Sequence, residues 1–226
     1  NDVQISAGGH LVLRASGQDI GQGLLWDTII DDGTTWRYHA GPLSPTDAWS
    51  SIGFDDSSWQ EGMSGFGHGY PNLRSLVQTN TIYTRHVFTL TTEELEELRD
   101  ITLHLDFDDG FVAYINGSEV ARSQLGSRGI SPDSDDFAND SNQGVLQWNQ
   151  SPDRFRLSNA RQLLTSGENV LAVQVHNESD DSDDLCCTAM LSVGYPPTWT
   201  QSVHVNPLLS FSETTRHLNF RLDAGG

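Results

Sequence analysis

Two apolar-alternating runs, Ile101-Thr-Leu-His-Leu-Asp-Phe107 and Phe111-Val-Ala-Tyr-Ile115, flank Asp108-Asp109-Gly110 and confine the middle of this chain to β structure. In the first run Ile101, Leu103, Leu105 and Phe107 share one face while Thr102, His104 and Asp106 share the other, the period-2 pattern of a half-buried strand. In the second, Phe111, Ala113 and Ile115 alternate with Val112 and Tyr114. Asp-Asp-Gly supplies residue types that tolerate positive φ, so the pair is expected to form a β-hairpin. Asn116-Gly117 marks a second tight turn into Ser118-Glu-Val-Ala-Arg122, and the three segments together predict an antiparallel meander.

The same alternation recurs at Thr81–Leu90, Val170–His176 and Leu185–Val193. Leu103, Leu105, Ile115, Leu171, Val173, Val175, Leu191 and Val193 are therefore expected to share one core. Between the strands, Thr91 and Glu94 have capping-box spacing ahead of Leu95 and Leu98, which predicts one short helix. Trp36, Trp49, Phe54 and Trp59 lie among Gly, Asp, Ser and Pro. Loops of that composition stay ordered by packing their rings on a sheet, so these aromatics are expected to fill core. Weaker strand signals sit at His10–Arg14, Arg154–Leu157, Ser202–Val205 and Leu218–Leu222.

A chain of 226 residues with 36% apolar content can bury one good core. The expected division is an N-terminal edge strand or linker over 1–25, an all-β antiparallel sandwich over 26–195, and a C-terminal extension over 196–226. No apolar run approaches the roughly 18 residues that span a bilayer. With neither an initiator Met nor a signal peptide at Asn1, the sequence reads as a piece of a longer protein.

Charge narrows the partners. Against 31 acidic residues stand 12 basic ones, all Arg, for a formal −19. Such a surface repels nucleic-acid phosphates and anionic lipid, which argues against both partners. The two cysteines, Cys186 and Cys187, are adjacent and in a strand point to opposite faces, so a disulfide between them is not expected. Cys187 falls on the core face, with Cys186 facing outward or across to a neighbour.

Gly53-Phe-Asp-Asp-Ser-Ser-Trp59, Gly65-Phe-Gly-His-Gly69, Tyr83-Thr-Arg-His-Val-Phe88, Asp108–Gly117 and Gly167–Asn177 occur in this order. Through them the chain resembles galactose-binding-like β-sandwich (jelly-roll) domains, which are appended to secreted bacterial carbohydrate-active and surface proteins. The resemblance covers roughly residues 26 to 194. It implies glycan binding and a secreted or cell-surface location, and it implies that ligand contacts lie on loops outside these motifs.

Candidate sites follow from residue chemistry. Asp106, Asp108 and Asp109 offer hard oxygens at short spacing for calcium, with Asp133–Asp136 and Asp180–Asp184 as competing clusters. A pyranose offers an apolar face rimmed by hydroxyls, which calls for an exposed ring beside amides. Trp148 with Gln147 and Asn149 has that composition, and Tyr70 with Arg74 is second. No Gly-x-Ser-x-Gly elbow, His-Glu-x-x-His helix, phosphate loop or Cys/His constellation is present, so the chain is not expected to be an enzyme. The functional expectation is a non-catalytic carbohydrate-binding module, calcium-stabilised, taking a neutral polysaccharide rather than an anionic one and attached to neighbouring domains. The alternative is a structural or adhesive spacer without glycan affinity.

Overall fold

The computed structural model describes residues 24–41, 43–148, 150–157 and 159–196. The strand signals at His10–Arg14, Ser202–Val205 and Leu218–Leu222 lie outside them, as does Asn149. Within the described residues the strands are β1 (Leu25–Ile30), β2 (Thr35–Ala40), β3 (Gln60–Met63), β4 (Phe66–His68), β5 (Ser75–Leu76), β6 (Thr81–Leu90), β7 (Asp100–Asp108), β8 (Gly110–Ile115), β9 (Ser118–Ser123), β10 (Asp153–Arg156), β11 (Gly167–His176) and β12 (Leu185–Tyr195). They form two six-stranded sheets. One has the order β10-β7-β12-β4-β5, with β1 also on β12; the other has the order β3-β2-β6-β11-β8-β9. Pairing is antiparallel except between β4 and β5. This is an all-β, largely antiparallel two-sheet sandwich, the architecture that the resemblance implied.

The expected hairpin across Asp108-Asp109-Gly110 does not form. β7 pairs with β12 through nine register positions in one sheet, while β8 pairs with β11 through six in the other. The Asp-Asp-Gly segment is thus an arch that carries the chain across the sandwich. Phe107 and Phe111 meet across the core with ring centroids 4.6 Å apart. Period-2 alternation sets which residues face the core but not which strand lies alongside, so hairpin and arch share one sequence signature. Longer partners decided the matter, because each of β7 and β8 gains more ladder from β12 and β11 than a short mutual hairpin would supply.

The second turn behaves as expected. Asn116 and Gly117 hold φ of +51° and +84° between paired Ile115 and Ser118, the geometry of a tight two-residue hairpin. Helix α1 (Thr92–Glu97) carries the capping box: Glu94 N–H donates to Thr91 Oγ1 at 3.1 Å and Thr91 N–H to Glu94 Oε2 at 2.7 Å.

All eight residues expected to share a core do so, each fully buried in one inter-sheet cluster. Cys187 joins them, whereas Cys186 is buried on the other face of β12, and both are free thiols. The strand faces expected to meet solvent are covered too. Trp49, Trp59 and Phe54 pack with Tyr83, Val112, Tyr114, Val170 and Ala172 in a second cluster on the outer face of the β6/β11/β8 sheet. Arg85, 2% exposed, fastens this cover: its Nε donates to Asp56 Oδ2 at 2.9 Å, its Nη1 donates to the Trp49 and Ser51 carbonyls, and its guanidinium lies 5.1 Å from the Phe54 ring centroid.

Candidate functional site

Strand register places the long loops together. Thr81 pairs with His176, His176 with Gly110, Asp108 with Cys186, Leu185 with His68, and Ala40 with Ile82. Segments starting at 41, 69, 124 and 177 therefore meet the Asp109 arch at one end of the sandwich. Helix α1 and the Asn116-Gly117 turn lie at the opposite end.

The three carboxylates read as calcium ligands organise this loop end. Asp106 accepts from Val145 N–H at 2.6 Å and Leu146 N–H at 3.2 Å, one on each oxygen. Asp109 accepts from Asn142 N–H and Glu178 N–H, both at 2.8 Å. Asp108 takes the Tyr70 hydroxyl on Oδ2, while its Oδ1 is buried without a partner. Burial raises the pKa of all three. The Val145 and Leu146 amides oppose the rise at Asp106, and those of Asn142 and Glu178 oppose it at Asp109. Asp108 is lifted to about 7, first by burial, against the Tyr70 hydroxyl and with the nearby Asp109, Asp184 and Glu178 charges adding to it. Calcium needs about six to eight oxygens. An ion bound here would compete with the four amides that Asp106 and Asp109 now hold, and among the described residues no three His, Cys, Asp or Glu side chains form a metal-holding group.

The aromatic candidates separate. Tyr70 is 7% exposed beneath the 142–146 loop, its hydroxyl accepting from Gly144 N–H at 3.1 Å, so it offers no stacking surface. Burial and the Asp108 carboxylate hold its phenol well above its ordinary pKa. Arg74 forks onto Asp32, with Nη2 donating to Oδ2 at 2.6 Å, and reaches the Ser64 carbonyl at 3.3 Å. Its guanidinium is thus committed to partners within the fold. Gln147 is partly buried and donates to the Gly144 carbonyl at 3.4 Å. Trp148, on a 3-10 turn (Leu146–Trp148), keeps half its surface exposed.

A cleft of about 550 Å³ opens at the same end of the sandwich. One wall is Gln78–Thr81, another is 134–137, and a third carries Asp180 and Ser182, with His68 and Gly41 completing it. The 134–137 wall is tied to the sheet: Thr81 Oγ1 donates to the Ser134 carbonyl at 2.7 Å, Ser134 N–H donates to Ser44 Oγ at 2.7 Å, and His176 Nδ1 lies 2.7 Å from the Asp136 carbonyl. The Asp136 carbonyl can only accept, so His176 Nδ1 donates that bond, and burial lowers the His176 pKa while the bond opposes the shift. Asn80 Nδ2 donates to Asp180 Oδ1 at 2.8 Å and joins the other two walls. Phe137, 40% exposed, presents a ring to this polar setting. An apolar face beside amides, hydroxyls and carboxylates matches the two-sided chemistry of a sugar ring.

Sequence reasoning did not single out Phe137, Asn80 or Gln78. The signal available was indirect: the acidic clusters at 133–136 and 180–184, read as competitors for calcium, lie in two of the walls. Nothing in the chain announces that residues 100 positions apart, Asn80 and Asp180, meet there.

No family model matches the sequence, and no curated protein matches it. Solved structures similar to this chain include a Bacteroides uniformis β-glucuronidase, at 19% identity over 75% of this chain and 18% of that one with a TM-score of 0.48. A Bifidobacterium dentium β-glucuronidase complexed with coumarin-3-O-glucuronide matches at 14% identity over 77% and 30%, TM-score 0.47. A β-D-mannosidase from Dictyoglomus thermophilum matches at 14% over 67% and 16%, TM-score 0.37. The chain spans between 16% and 30% of the length of these proteins.

Proposed function

We propose that this domain is a non-catalytic carbohydrate-binding module of a larger secreted or cell-surface bacterial protein, and that the glycan sits in the loop-end cleft. The observation that carries this reading is the exposed Phe137 ring set among Asn80, Gln78, Thr79 and Asp180 in an open volume of about 550 Å³. Trp148, half-exposed on the same long loop, is a second stacking surface. The glycan is one without anionic groups, since carboxylates line the cleft and Arg does not. Calcium belongs to the proposal as a stabilising ligand of so acidic a chain.

Calorimetric titration with a panel of neutral and anionic oligosaccharides tests it. Phe137→Ala is expected to weaken binding of the neutral ligand by roughly 1 to 3 kcal/mol, on the scale of an interface hot spot, with the fold intact. Unchanged affinity in both Phe137→Ala and Trp148→Ala would remove the site. The second reading, a spacer without glycan affinity, is favoured by one observation: Tyr70, Asp106 and Asp109 are committed to holding loops in place. A folded domain that binds no member of the panel would establish it.

A further inference from the structure

Resting on the glycan-binding reading, we infer that the cleft selects a saccharide bearing free amino groups, a deacetylated amino-sugar oligomer rather than its acetylated or hydroxylated counterpart. The ionisable side chains lining the cleft are Asp135, Asp180 and His68. Asp135 and Asp180 stand on different walls. Among the described residues neither forms an ion pair with an arginine, because the described arginines in ion pairs are matched with Asp32, Asp56, Glu61, Glu97, Asp100 and Glu119. Asp180 is partly satisfied by the neutral amide of Asn80, which leaves its charge uncompensated. A ligand that covers this cleft takes water from both carboxylates, and a neutral hydroxyl returns hydrogen bonds without returning charge. An ammonium group returns both, as three donors and a positive charge. The Phe137 face adds a cation–π contact that a hydroxyl or acetamide does not make. Ring, amides and two unpaired carboxylates together fit an amine-bearing pyranose better than any other sugar class.

The test compares three tetrasaccharides of similar shape: β-1,4-linked glucosamine, its N-acetylated form, and the all-hydroxyl glucan. Binding to the full chain is measured by calorimetry at about pH 5, acidic enough to protonate sugar amino groups, which neighbouring oxygens make less basic than simple amines, and above the ordinary aspartate range. The glucosamine oligomer is expected to bind roughly 10-fold or more tightly than the other two, as one charge pair at partly screened distance allows. That advantage should vanish in the double variant Asp135→Asn, Asp180→Asn. It should persist in Glu93→Gln, Glu97→Gln, which makes the same change in net charge on α1 at the opposite end. Melting curves check that both variants fold.

Equal binding of all three oligomers overturns the amine selectivity and leaves the glycan-binding reading standing. Absence of binding by all three and by every member of the wider panel overturns that reading as well. An amine advantage kept without Asp135 and Asp180, or lost equally in the α1 variant, assigns the effect to overall charge and overturns the site.

Discussion

At the scale of single residues, the acidic tip of β7 holds loops. Asp106→Ala deprives the Val145 and Leu146 amides of their acceptor. Unfolding in denaturant should show a loss of about 2 to 4 kcal/mol, the cost of leaving buried donors of charge-assisted bonds unpaired. Asp108 makes a different prediction, because its folded pKa is lifted from 3.8 to about 7. The folded state holds this proton more tightly than the unfolded chain does. Its contribution is therefore fully present below the unfolded value and lost as pH rises through about 7. Asp108→Asn should flatten the fall in melting temperature between about pH 4 and pH 7 and raise the melting temperature at alkaline pH. A steeper fall in the variant would contradict the assigned burial. The chemistry of these carboxylates was legible in sequence, but their partners were not. An Asp two positions from a turn has the same composition whether it faces calcium, solvent or two loop amides.

At the scale of elements, the second aromatic cluster depends on one guanidinium. Segment 47–59 has a short 3-10 turn and no β pairing, so its attachment rests on Trp49, Trp59 and Phe54 packing and on Arg85 reaching Asp56 and the Trp49 and Ser51 carbonyls. Arg85→Ala leaves Asp56 unpaired and the carbonyls without donors, and should cost about 3 to 5 kcal/mol. Trp emission should shift to the red as Trp49 and Trp59 gain water. An unshifted spectrum with unchanged stability would mean that ring packing alone holds the segment. The sequence supported burial of these rings because Gly- and Asp-rich loops have no other means of staying ordered. It did not indicate the surface they cover, the outer face of the β6/β11/β8 sheet.

At the scale of the whole molecule, a formal −19 acts on stability and on binding. Screening self-repulsion should raise the melting temperature with added salt. Calcium is expected to raise it further at matched ionic strength relative to a chelator, because a ligand taken only by the native state stabilises it by mass action. Identical curves in calcium and chelator at constant ionic strength would remove calcium from the proposal. The increment measured in Asp106→Ala tells whether an ion uses the β7 carboxylates or lies elsewhere.

Local periodicity determined by itself that the chain folds into β-strands, which residues of each strand enter the core, where α1 begins and where the Asn116-Gly117 turn falls. Those features depend on spacings of a few residues, and short-range sterics and hydrogen bonding are written in the order of the side chains. Tertiary structure alone decided that β7 and β8 part company across the Asp109 arch, that Tyr70 and Cys186 are buried under a loop, and that Phe137, Asn80 and Asp180 line one cleft. Each of these depends on which distant strand offers the longer ladder and on which loops the resulting register brings to the same end. A period-2 pattern is equally satisfied by every neighbour, so it carries no information about that choice.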